Sequence, residues 1–136
     1  MTASIDPVVR LMAVCERAVP DPENPHKVDL RGLLSTVLVD AAAVFPVRVP
    51  QLSVYVMMTG GRGVGRAQIV VVDADTETDQ FGSARHEIRF GSDPLAVVAR
   101  SFRLLNCPFP SAGLYLVEFR YNEHVLASQP LIVKRR

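Results

Sequence analysis

The stretch from Phe109 to Ser128 limits the possible folds of this chain more than any other. Within it Tyr115, Val117, Phe119 and Tyr121 alternate with Leu114, Leu116, Glu118 and Arg120. A strict period of two, built from aromatic and β-branched residues, places one set on each face of a half-buried strand; a helix would scatter the same residues around its circumference. Asn122-Glu123 then predicts a turn and a second antiparallel strand running through His124, Val125 and Leu126. Pro110-x-x-Gly113-x-Tyr115 sets a rigid turn at the entrance.

The rest of the chain reads as further short strands separated by turn signals. Pro7 to Glu16 predicts a first strand, and Pro20 to Lys27, with three prolines, a loop. Val28 to Asp40 fits both periods: Leu30, Leu33, Leu34, Val37 and Leu38 match a helical stripe, whereas residues 35–39 match a strand. The strand is preferred because Gly32 weakens a helix by about 1 kcal/mol and strands dominate elsewhere. Phe45 to Pro50 reads as a connection. Residues 51–59 form a strand with Leu52, Val54, Val56 and Met58 on one face and Ser53, Tyr55, Met57 and Thr59 on the other. The glycine-rich loop Gly60 to Arg66 and a strand over residues 67–73 complete an expected hairpin. An acidic turn, Asp73 to Asp79, precedes a strand over residues 84–90. Leu95 to Leu105 is again ambiguous, and a turn at 92–95 followed by a strand is preferred over a helix capped by Asp93. Residues 130–133 continue the last strand after a break at Pro130.

About seven or eight short strands in one 136-residue domain predict an all-β, two-sheet antiparallel β-sandwich spanning 1–136. Apolar residues make up 49% of the chain, enough for a core of this size. The net charge is only +1 and there is no Trp, which argues against a nucleic-acid partner. Met1 to Pro7 has neither the basic nor the apolar part of a signal peptide, and no apolar run is long enough to span a bilayer, so a soluble cytoplasmic protein with no membrane partner is expected.

Four groups of residues are candidates for chemistry. Asp73, Asp75, Glu77 and Asp79 alternate in the acidic turn, as in loops that wrap oxygen ligands around Ca²⁺. Thr78 and Ala84, however, stand where the EF-hand pattern needs Gly and Glu, and a solvated hairpin end is the simpler reading. The glycine loop fails both phosphate-binding templates, although Arg62 and Arg66 are candidates to hold an anion. Cys107 with His86 or His124 is the one candidate nucleophile–base pair, against two reduced, buried core thiols at Cys15 and Cys107. His86-Glu87 and Glu123-His124 are strand neighbours that point to opposite faces. No metal or cofactor is expected beyond the Ca²⁺ alternative.

Gly113-x-Tyr115 at the start of a late strand resembles the tyrosine corner of immunoglobulin-like sandwiches. An immunoglobulin domain proper would carry Cys where this chain has Val117, and a core Trp. Over most of its length the chain also resembles a family of small bacterial proteins of unknown function. That likeness rests on Cys15-Glu16, Val44-Phe45-Pro46 before Leu52-x-Val54-x-Val56, Asn106-Cys107-Pro108-Phe109-Pro110 before Gly113-Leu114-Tyr115, and Pro130-Leu131-x-Val133. It implies a β-sandwich and supplies no catalytic residues. The resulting expectation is a non-enzymatic protein-binding or self-assembling module, with homodimerisation through a sheet face or edge where Met57 and Met58 offer apolar surface.

Overall fold

The computed structural model describes residues 4–136. Residues 1–3, on which the reading of Met1 to Pro7 partly depends, lie outside the described residues. The chain folds into ten strands: β1 (Val8–Pro20), β2 (Val28–Leu33), β3 (Thr36–Val39), β4 (Val47–Thr59), β5 (Gly63–Asp73), β6 (Thr78–Gly82), β7 (His86–Phe90), β8 (Val98–Phe109), β9 (Gly113–Tyr121) and β10 (His124–Arg135). They form two packed sheets: four strands in the order β2-β1-β4-β8, and six in the order β3-β10-β9-β5-β6 with β7 also paired to β5. The all-β sandwich is as expected. Ten strands exceed the expected seven or eight because residues 28–40 split into two strands and residues 78–82 form one of their own.

The alternation that opens the sequence argument holds in three dimensions. Tyr115, Val117, Phe119 and Tyr121 are all buried, and β9 is the central strand of its sheet. The turn to β10 is the two-residue Asn122-Glu123, both with positive φ (48° and 72°), the backbone that a tight hairpin requires. The Asn122 carboxamide fixes it by accepting the Arg66 N–H at 3.0 Å. Facing β9 across the core are Leu52, Val54, Val56 and Met58 of β4 and Phe102 and Leu104 of β8. At the other end of β9 the Tyr115 hydroxyl donates to the Ser111 carbonyl at 2.7 Å. Its ring stands edge-on to Phe109, 4.9 Å between centroids.

Five local expectations need correction. Strands β4 and β5 are not a hairpin: they lie in different sheets, so Gly60–Arg62 bridges the sandwich, while Gly63 and Gly65 already belong to β5. Residues 28–40 are neither one helix nor one strand. Strand β2 pairs antiparallel with β1, and after residues 34 and 35 β3 pairs parallel with β10 in the opposite sheet. The switch follows Gly32, with φ of 66°, where a Cβ would stand 2.8 Å from the Glu16 side chain. The apolar residues of this segment face two sheets in turn, and that mimics a helical period.

Third, Phe45–Pro50 is a connection only as far as Pro46, since β4 starts at Val47, and its partner β8 runs on to Phe109. Both strands change the side they bury at one level. Even-numbered residues 52–58 and Phe102 and Leu104 give way to Val47, Val49, Cys107 and Phe109. The change falls at Pro50 and at Asn106, whose φ is 53°. Fourth, β10 passes through Pro130 without a break, Pro130 pairing with Leu116. Fifth, Met58 is fully buried in the core and so offers no apolar surface to a partner. Among the described residues no helix is long and apolar enough to cross a membrane.

Candidate functional site

Strand β4 is buried on both faces over residues 52–56, and this positions the site. Its inward side forms the core, and its outward side carries Ser53, Tyr55 and Met57, with Ser53 and Tyr55 buried. An antiparallel sheet with one solvated face leaves its outward residues exposed, so the burial of Ser53 and Tyr55 marks a covered surface. Strand β1 supplies part of the cover. It pairs with β4 from Val8 to Cys15, then leaves it and pairs only with β2 from Cys15 to Pro20. The result is a hairpin arm with its tip at residues 21–27.

Between this arm and the outward face lies a cleft of about 710 Å³. Ala18, Pro20, Pro25, His26 and Val28 line the arm side. Tyr55, Met57, Ala99 and Ser101 line the sheet side, and Val97, Arg89 and Arg100 complete the rim. The tip is held by local bonds: Asp21 Oδ1 accepts from the N–H groups of Glu23 at 2.8 Å and Asn24 at 3.0 Å, and the Asp21 N–H donates to the Lys27 carbonyl at 2.9 Å. Tyr55 is only 7% exposed, and its hydroxyl makes no hydrogen bond among the described residues. The volume and the largely apolar walls with a few polar groups are those of a binding site.

The candidates named from sequence are placed as follows. The acidic turn lies at the Tyr115 end of the sandwich, Asp73 being paired with Tyr115. Its carboxylates do not converge. Asp73 Oδ1 caps the Asp75 N–H at 2.9 Å, and Asp79 takes the Arg120 guanidinium at 2.9 and 3.0 Å. Arg120 also binds Glu118 Oε1 at 2.8 Å. The hydrogen bond from Arg120 holds the Asp79 carboxyl below the usual carboxylate range, and Asp79 and Glu118 raise the Arg120 guanidinium in return. Among the described residues no three His, Cys, Asp or Glu side chains are grouped to hold a metal ion.

Arg62 is tied by its backbone to Ile5, with N–O distances of 3.0 and 3.1 Å. Arg66 instead lines a shallow depression of about 300 Å³ with Arg85 and Arg120 on the far side of the six-stranded sheet. There Arg85 pairs with Glu123 at 3.0 Å and Arg120 with its two carboxylates, leaving little free positive charge.

Cys15 and Cys107 are free and buried, on strands either side of β4. Two strand spacings, about 9–10 Å, exceed the reach of a disulfide. Burial pushes the Cys107 thiol up to about 12, and burial likewise raises that of Cys15. Cys107 pairs with Val49, at the end of β4 away from Thr59 and the His124 turn. His124 Nδ1 binds Asp6 at 2.8 Å, and the His86 ring stands edge-on to Phe102 with centroids 5.3 Å apart. The structure therefore joins neither histidine to Cys107, nor the two histidines to each other.

The arm and cleft went unread in the sequence because Pro20–Lys27 looks like any proline-rich connection. The signal that marks them is the apolar outward set on β4, with Tyr55 and Met57 one strand away from Ala99.

The profile of a family of unknown function, DUF6941, matches residues 10–134. The chain belongs to this family. The match takes in both sheets and both walls of the cleft, so the family is defined over the whole sandwich and not over one motif. No curated protein matches the chain.

Proposed function

We propose that this DUF6941 member is a non-enzymatic binding module of immunoglobulin-like architecture that docks a segment of another polypeptide in the cleft between the β1–β2 arm and the outward face of β4 and β8. The observation that carries this reading is the cleft itself: about 710 Å³, walled by Pro20, Val28, Met57, Val97 and Ala99. Apolar surface held open in this way is stabilised when a partner covers it. The immunoglobulin-like assignment is supported by two packed layers that are antiparallel except for the β3–β10 pair, and by the Tyr115 hydroxyl returning to Ser111 at the entrance of the last-but-one strand. Two unpaired, buried cysteines favour a reducing compartment, the cytoplasm.

Self-association is the second reading, favoured by Leu33 and Leu105, which are 67% and 53% exposed on the same outward face. Size-exclusion chromatography with light scattering separates the two: a stable dimer at micromolar concentration favours self-assembly, a monomer favours docking. The docking reading is tested by selecting short random peptides displayed on phage against the full chain and against Ala99→Trp, which fills the cleft. Peptides that bind the native chain and not the variant support it; peptides that bind both equally contradict it.

A further inference from the structure

We infer that the segment docked in the cleft is an extended one in which carboxylate side chains stand beside apolar ones. This rests on the docking reading above and adds the chemistry of the partner.

The first observation is the sign of the charge. The basic residues that line the cleft are His26, Arg89 and Arg100, and no carboxylate lines it. The whole chain is nearly balanced, at +1, so this one-signed lining is a property of the place and not of the composition. Arg89 is shared with Glu87 at 2.8 Å, but the one hydrogen bond from the Arg100 guanidinium goes to the Ala99 carbonyl at 3.0 Å. Among the described residues Arg100 has no carboxylate partner, and its remaining N–H groups are available. Arg100 lies opposite the inward-facing Val56 and so borders the cleft at the open edge of β8; an apolar segment that carries acceptors meets its donors there while covering Met57 and Ala99, and one that carries cations is repelled.

The second observation is the edge. Among the described residues strand β8 pairs only with β4, so its other edge has no strand partner. Val97, just before β8, and residues 98–101 at its beginning all border the cleft. An incoming strand can pair with that edge while alternate side chains enter the cleft, the arrangement of β-strand addition. A second copy of this chain presents the same His26, Arg89 and Arg100. Pairing the two cleft faces about a two-fold axis sets like charges together, which disfavours the chain as its own partner here.

The test is the composition and charge dependence of peptides selected against the full chain, measured as free labelled peptides by fluorescence anisotropy at low and high salt. Peptides rich in Asp or Glu alternating with apolar residues are expected. Their binding should weaken about tenfold or more in Arg100→Glu, be intermediate in Arg100→Gln, fall with salt, and be unchanged in Arg66→Glu on the opposite sheet. Thermal melts establish that each variant folds, and Arg100→Gln carries the test if Arg100→Glu does not. Selected peptides that are basic or uncharged, or indifferent to both Arg100 variants, overturn the inference while leaving the docking reading intact if Ala99→Trp still abolishes binding. Failure to select any peptide that depends on the cleft overturns both. A native dimer dissolved by Ala99→Trp identifies a second copy as the occupant and also overturns the inference.

Discussion

The ring of Tyr121 occupies the space that a side chain at position 65 would need: a Cβ built on Gly65 runs into its Cζ, Oη and Cε1 atoms. Tyr121 is fully buried, flanked by Phe90 at 6.4 Å between centroids, and has nowhere to retreat. Gly65→Ala is therefore expected to destabilise the fold by about 1–3 kcal/mol through overpacking. Gly91→Ala, where an added Cβ meets nothing within 4 Å, should change little. Urea melts of the two variants check the contrast, and equal midpoints would refute the packing argument.

The same Tyr121 carries a buried hydroxyl that has no hydrogen-bond partner among the described residues. Burial, with Asp6 adding to it, pushes its ionisation upward. An unsatisfied buried hydroxyl costs about 1–3 kcal/mol, so Tyr121→Phe should leave stability unchanged or raise it. Tyr115→Phe removes the 2.7 Å bond to Ser111 and should lower stability by about 1 kcal/mol. Opposite signs for these two identical chemical changes are the expected outcome in denaturant titrations.

Both cysteines should be inert in the native state, since each is 0% exposed and burial favours the neutral thiol. Labelling with iodoacetamide at neutral pH should be slow at both positions and track unfolding; rapid labelling of Cys107 alone would point to an activated thiol. A thiol pushed from 9.0 to about 12 contributes stability that is complete below 9 and is lost as pH rises toward 12. Cys107→Ser should flatten that alkaline decline.

On the acid side the relevant group is Asp79, whose carboxyl is depressed by its hydrogen bond to Arg120. Its contribution is present above the ordinary carboxylate range and disappears as pH falls through the folded value. Because Asp79 is largely exposed, solvent screening limits the effect to less than about 1 kcal/mol. Asp79→Asn should lower the melting temperature slightly at neutral pH and not at all below about pH 3.

The fold was readable wherever one face met the core and the other met water. The β9 alternation, the Asn122-Glu123 turn and the inward set of β4 all follow from that one condition. Legibility failed where a strand changed surroundings along its length. Residues 28–40 cross between sheets, and β4 and β8 turn over at Pro50 and Asn106, so their period breaks although their backbone does not. The site was hidden for a related reason. Tyr55 and Met57 were placed correctly on the outward face, but what covers them comes from the β1–β2 arm, and no local pattern in residues 17–28 specifies where such an arm lies.

The central claim is that the arm cleft is the surface this chain uses. Hydrogen–deuterium exchange with and without a selected peptide tests it most directly. The account predicts new protection at the arm residues 18–28, at residues 55–57 and along residues 97–101, with the outward face of the six-stranded sheet unchanged. Protection confined to the depression around Arg66, Arg85 and Arg120, with the arm unaffected, would contradict it.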